Sequence, residues 1–159
     1  MDDLPSFRPL GLLGACLFPG LGHILNGEVR RGVYIASGIL GLFLSGLLVG
    51  GIDTIDSKED RPWFLGQALV GPLTFAVDFV HQHHFKVLDP QTKQLRSAYP
   101  GEGRGPNGVA VSPSTPPNIK SIGKMNELGT LFSTVAGMIN VIVIIDAGWP
   151  TRRQQQGKA

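Results

Sequence analysis

The 159-residue chain predicts an all-α membrane protein of about four transmembrane helices, and three observations carry that prediction. Only 16% of its residues are charged, against roughly a quarter in an ordinary soluble domain. The charges are also segregated: residues 9–27, 32–52, 62–77 and 128–145 hold no Asp, Glu, Lys or Arg. A soluble helix of similar length would interleave charge with apolar residues to make an amphipathic surface. Finally, the breaks between the apolar runs carry turn chemistry, as in Asn26-Gly27 and in the proline- and glycine-rich stretch beyond residue 81.

A membrane crossing needs about 20 mostly apolar residues, and four segments qualify to different degrees. Segment 9–27 is interrupted by Pro19-Gly20. A proline inside a helix removes a backbone hydrogen bond, and in lipid the freed carbonyl must find another partner. This first segment is therefore either a kinked span or a re-entrant hairpin. Segments 32–52 and 128–147 are the clearest spans, and 62–80 reaches the required length if Asp78 lies at the interface. The connection 26–31 is short enough for a tight antiparallel hairpin between the first two spans. Four crossings place Trp63 and Trp149 on one face, where interfacial tryptophans are enriched. Residues 89–118, rich in proline and glycine, predict a long, largely disordered loop, because such a composition buries too little apolar surface to order itself.

Within the spans, small residues mark helix contacts, because lipid supplies no hydrophobic drive between helices. Gly46 and Gly50 form a small-xxx-small pair, and Ser37, Gly41 and Ser45 repeat the spacing. Thr130, Ser133, Gly137 and Asn140 follow one another at steps of three, four and three, which places them on one stripe of a helix. Asn140 near the centre of its span should turn its amide toward protein.

Ionisable residues at membrane depth are functional candidates. His23, Asp78 and Asp146 qualify, with Arg30 and Arg31 as interfacial partners. Four-span topology pairs Asp78 with Arg30 and Arg31, and Asp146 with Arg8, Arg152 and Arg153. Asp78, His81 and His84 recur at helical spacing and suit zinc chemically, yet they lack a clear fourth ligand, so no metal and no cofactor is expected. The chain carries no nucleophile elbow, zinc-protease motif or phosphate-binding glycine loop, which argues against an enzyme. A net charge of +2 without a dense basic tract argues against nucleic acid. Cys16 is the only cysteine, so no disulfide forms within the chain. Leu13-Gly14-Ala15-Cys16 resembles a lipoprotein cleavage box, but the residues that follow stay apolar.

Two stretches bear a family resemblance. Residues Pro19-Gly20-Leu21-Gly22-His23 with Gly27 and Arg30-Arg31-Gly32 resemble the hairpin of small bacterial membrane proteins related to the two-transmembrane-helix domain family. Residues 127–147, with Gly129, Gly137, Asn140 and Asp146, are similar to the last helix of an uncharacterised group among them. The resemblance implies a multi-pass protein of the cell membrane and brings no catalytic residue. The expected role is a non-enzymatic structural or accessory component whose partners are the bilayer, itself or other membrane proteins, with the 81–127 loop in the cytoplasm. The alternative is a small transporter or channel with a polar site around Asn140, His23 and Asp78.

Overall fold

The computed structural model describes residues 7–119, 121 and 124–150. Two long helices, α3 (Val29–Gly50) and α6 (Met125–Gly148), form its axis. At 1.5 Å per residue each is more than 30 Å long, and both are long and apolar enough to cross a membrane. They run antiparallel. Gly46 lies against Gly129 and Ser133, Gly50 against Gly129 and Asn126, and Arg31 meets Asp146 at the opposite end. Charge-free runs without proline explain why these two segments stay helical throughout.

The other two predicted spans are broken. In the first, α1 (Pro9–Leu17) stops at Phe18, which is extended. Proline disfavours helical backbone in the residue before it, and Pro19 follows. Gly20, at φ +81°, turns the chain into α2 (Leu21–Leu25). The Arg8 amide donates to the Gly148 carbonyl at 2.9 Å, and Asn26 Nδ2 donates to the Ala147 carbonyl at 2.9 Å. Both arms therefore begin and end beside the C-terminus of α6: the segment folds as a hairpin broken at Pro19-Gly20, not as one kinked helix.

Segment 62–80 behaves the same way from the opposite end, a correction to the predicted third span. Helix α4 (Arg61–Ala68) has Pro62 in its first turn. A turn through Gly71, φ +116°, follows it, and α5 starts with Pro72 (Pro72–Val80). The Thr74 hydroxyl donates to the Gln67 carbonyl at 2.8 Å and closes the turn. The Ser57 amide donates to Asp78 at 3.0 Å, so α5 returns to the end from which α4 left. The two hairpins meet tip to tip: a β-carbon on Gly71 would sit 3.1 Å from the Cys16 carbonyl oxygen.

Two corrections follow from this topology. Trp63 and Trp149 lie at opposite ends of the bundle, not on one face. Arg30 and Arg31 lie at the end that holds Arg8 and Asp146, not at the Asp78 end. We call the end with Phe7 and Trp149, whose rings are 4.9 Å apart, the terminal end, and the other the cap end.

The cap is built where a largely disordered loop is predicted. A π-helical turn, His81–Phe85, leads into β1 (Val87–Leu88), paired antiparallel with β2 (Leu95–Arg96), Val87 opposite Arg96. A second hairpin pairs β3 (Gly103–Arg104) with β4 (Ala110–Val111), Gly103 opposite Val111. Charge-assisted bonds supply what apolar burial does not. The Asp89 carboxylate accepts from the Gln91 and Thr92 amides at 2.8 and 3.0 Å and from Arg96 Nε at 2.9 Å. Arg96 also reaches Glu102 at 2.7 and 3.1 Å and stacks 4.2 Å from the Tyr99 ring centre. The apolar core lies between the ends, around Ile39, Phe43, Ile55, Val70 and Ala136.

Candidate functional site

The densest polar cluster is buried under the cap. It grows from a sequence that alternates acids with apolar residues, Ile52-Asp53-Thr54-Ile55-Asp56. A 3-10 turn, Ile52–Thr54, carries the chain out of α3 and points Asp53 and Asp56 inward. Lys86, 0% exposed, forms ion pairs with Asp56, 2% exposed, and with Glu59, the latter at 2.8 Å. Asp56 Oδ1 also accepts from the Lys58 and Glu59 amides at 2.8 and 3.1 Å and from Gln82 Nε2 at 2.9 Å. Burial alone would raise the Asp56 carboxyl, but the Lys86 ammonium and the two amides bring it below its ordinary value. For Lys86, burial opposes the charge, while Asp56 and Glu59 outweigh it and raise the ammonium above its ordinary value.

His81 stands beside this pair. Its Nδ1 lies 2.9 Å from the Ile55 carbonyl oxygen, which can only accept, so Nδ1 carries a proton. Its Nε2 faces Asp53 Oδ1 at 3.4 Å. Asp53 further accepts from Asn126 Nδ2 at 3.1 Å and from the Ser97 hydroxyl at 3.3 Å, which ties the cap hairpin to the start of α6. Asp53, Asp56 and His81 each offer a ligand atom within 4.8 Å of the others. Carboxylate and imidazole are donors that zinc accepts, but the Lys86 ammonium already sits against Asp56, and a second cation there would meet it at close range. The arrangement fits a buried network of ion pairs and hydrogen bonds better than a metal centre.

The sequence-predicted trio Asp78, His81 and His84 does not form. Asp78 is occupied by the Ser57 amide and Gln82, and His84 is exposed. The π turn winds more residues per turn than an α-helix, which breaks the expected phase. Sequence reasoning missed Asp53, Asp56 and Lys86 as site residues. The available signal was two acids interleaved with isoleucines between two apolar runs.

At the terminal end, His23 Nε2 lies 3.0 Å from Asp146 Oδ2. Arg31 donates to the same oxygen at 2.6 Å and to Glu28 at 3.3 Å. Asp146 therefore pairs with Arg31, where four-span topology assigned Arg8, Arg152 and Arg153; the last two fall outside the described residues. Asp78 meets neither Arg30, which is exposed, nor Arg31.

Between the ends, small residues of α6 lie in helix contacts. A β-carbon on Gly137 would run into the Gly66 carbonyl oxygen, and one on Gly46 would lie 2.7 Å from the Gly129 oxygen. Ser133 accepts from Gln67 Nε2 at 2.9 Å, and Thr130 bonds back to the Asn126 carbonyl. Asn140 Nδ2 donates to the Leu69 carbonyl at 2.9 Å, near the tip of the α4–α5 hairpin. His23, Asn140 and Asp78 thus occupy the terminal end, the middle and the cap end, and they share no cavity lining among the described pockets.

No curated protein and no solved structure matches the chain. A family profile, described as a family of unknown function (DUF6677), matches residues 10–159. Nearly the whole described fold, both hairpins and the buried ionic cap included, falls within that match, and the chain belongs to this uncharacterised family.

Proposed function

We propose that the chain is an integral membrane protein whose two spanning helices, α3 and α6, hold two re-entrant hairpins inserted from opposite faces. The observation that carries this reading is where the apolar surface goes. Only 22% of the most apolar stretch of α3 and 39% of that of α6 is buried, whereas the core helix of a soluble protein would be mostly buried. Leu44, Leu48, Ile142 and Ile145 are among the large apolar side chains left exposed, far more than a soluble monomer presents in one band. Alkaline carbonate washing of cell membranes tests it: the protein should stay in the pellet, and release into the supernatant would overturn the reading.

The role we propose is a non-enzymatic structural or accessory component of a membrane assembly, with the 81–127 loop cytoplasmic. Two features support association. The buried charges are consumed by internal partners. On α3, Gly38 and Gly41 face open space beside exposed Ser37, a surface on which another helix can approach closely. Mass measurement in mild detergent should give a particle heavier than one chain; a strict monomer without a co-purifying protein would count against the role. Kinship with the two-transmembrane-helix domain proteins belongs to the same proposal and rests on the Pro19–Gly32 motif. The transporter alternative needs His23, Asn140 and Asp78 in one hydrated path, and their separation along the bundle favours the structural role.

A further inference from the structure

We propose that a cleft at the cap end binds the phosphate group of an anionic phospholipid. The cleft has a volume of about 460 Å³ and is lined by Lys58, Glu59, Arg61, Lys93, Gln94 and Leu95. Three of these are cations and one is an acid. Glu59 offsets one of them, although its carboxylate is also held by Lys86 at 2.8 Å, and Lys58, Arg61 and Lys93 leave the lining with an excess of positive charge. A concave wall with an excess of one sign concentrates the opposite ion, and lysine and arginine are the side chains that hold phosphate oxygens.

The third cation is placed with some care. Lys93 sits at the tip of the β1–β2 hairpin with φ +57°, a left-handed conformation that a residue with a β-carbon adopts at an energetic cost. Asp89 holds it there: the Lys93 amide donates to the Asp89 carbonyl at 3.0 Å, while the Asp89 carboxylate takes the Gln91 and Thr92 amides and Arg96. Those bonds hold the Asp89 carboxyl at about 2, so the tip stays fixed at any physiological pH. The remaining two cations flank the start of α4.

The position of the cleft selects a lipid over a free anion. One turn below Arg61 on the same face of α4, toward the middle of the bundle, Leu65 is exposed; Trp63 is exposed in the same turn on another face, and farther along the hairpin so is Phe75. A tryptophan within one turn of a basic residue suits a headgroup boundary, with apolar side chains where acyl chains would lie. The proposal rests on the membrane reading above.

The test is native mass spectrometry of protein extracted in detergent, with phosphatidylglycerol or phosphatidylcholine added in equal amounts and inorganic phosphate as a competitor. Wild-type protein should retain phosphatidylglycerol preferentially. Each cation beside an anionic lipid is worth roughly a fivefold gain in affinity, so the triple variant Lys58→Gln/Arg61→Gln/Lys93→Gln should lose on the order of 100-fold. The three side chains are exposed, and an unchanged circular dichroism melt shows that the variant folds. Equal retention of the two lipids, or undiminished phosphatidylglycerol on the variant, overturns the proposal. Displacement of the lipid by millimolar inorganic phosphate overturns it too, since a free anion would then suffice. Failure of the membrane reading would show separately, as protein that stays soluble without detergent.

Discussion

Both ends of the bundle pair an acid with a base and set a histidine close by, yet the two constructions differ in kind. At the cap end, Asp56 and Lys86 are withdrawn from water and every carboxylate oxygen of Asp56 is engaged. At the terminal end, Arg31 is 42% exposed and Asp146 is 26% exposed. Water can take over either terminal partner if the other is lost; under the cap it cannot. The same residue types therefore act as a fastening in one place and as a surface decoration in the other.

The sharpest way to break this comparison is Lys86→Met. Removing one partner of a buried pair leaves an uncompensated charge, at a cost of about 3–5 kcal/mol, and thermal unfolding in detergent should show it. Adding Asp56→Leu to that variant should recover much of the loss, because an apolar pair of similar volume is often neutral; no recovery would mean that Asp56 acts mainly through its amide bonds. The pH response has two sides. Asp56 titrates below its ordinary value, so its contribution is complete above about pH 4 and is lost as the pH falls through the lowered value. Lys86 titrates above its ordinary value, so its contribution is complete below about pH 10 and disappears only in stronger alkali. Between those limits this pair adds no slope to melting temperature against pH, and the acid limb should shrink in the Lys86→Met/Asp56→Leu variant.

Between the two ends, one substitution should give two answers. Gly137→Ala forces a methyl against the Gly66 carbonyl and should cost about 1–3 kcal/mol by overpacking. Gly38→Ala meets nothing within 4 Å and should leave the monomer's melt unchanged; a loss there would reveal a contact made by another chain. The smallest effect belongs to the terminal end. Asp146→Asn should cost under about 1 kcal/mol, as exposed pairs do. A loss as large as that of Lys86→Met would erase the distinction between the ends.

The long helices α3 and α6 are legible in the sequence because nothing interrupts their apolar runs. Pro19-Gly20 announces the first hairpin. Its counterpart, Gly71-Pro72, went unread because the run around it reaches spanning length once Asp78 is placed at the interface, and length alone cannot tell a crossing from a turn. That miss displaced Arg31 from Asp146 and brought Trp63 and Trp149 to one face. The cap was illegible for another reason. Apolar burial is the quantity that composition measures, whereas Asp89, Arg96 and Glu102 order residues 87–104 through bonds whose partners are set by tertiary position. Asp53 and Asp56 look like surface acids until His81 and Lys86 arrive from 28 and 30 residues downstream in the chain.

On the membrane reading proposed above, the tip-to-tip meeting of the hairpins at Gly71 and Cys16 bears on how the chain would thread a bilayer. A segment that leaves by the face it entered contributes no crossing, so neither hairpin alters the parity on which the placement of the rest depends. Excising residues 7–27 would leave α3 and α6 with their original orientation, whereas excising a true first span would invert everything after it. On that reading α3 and α6 alone would decide the topology, and lengthening or shortening a hairpin would not turn the molecule over.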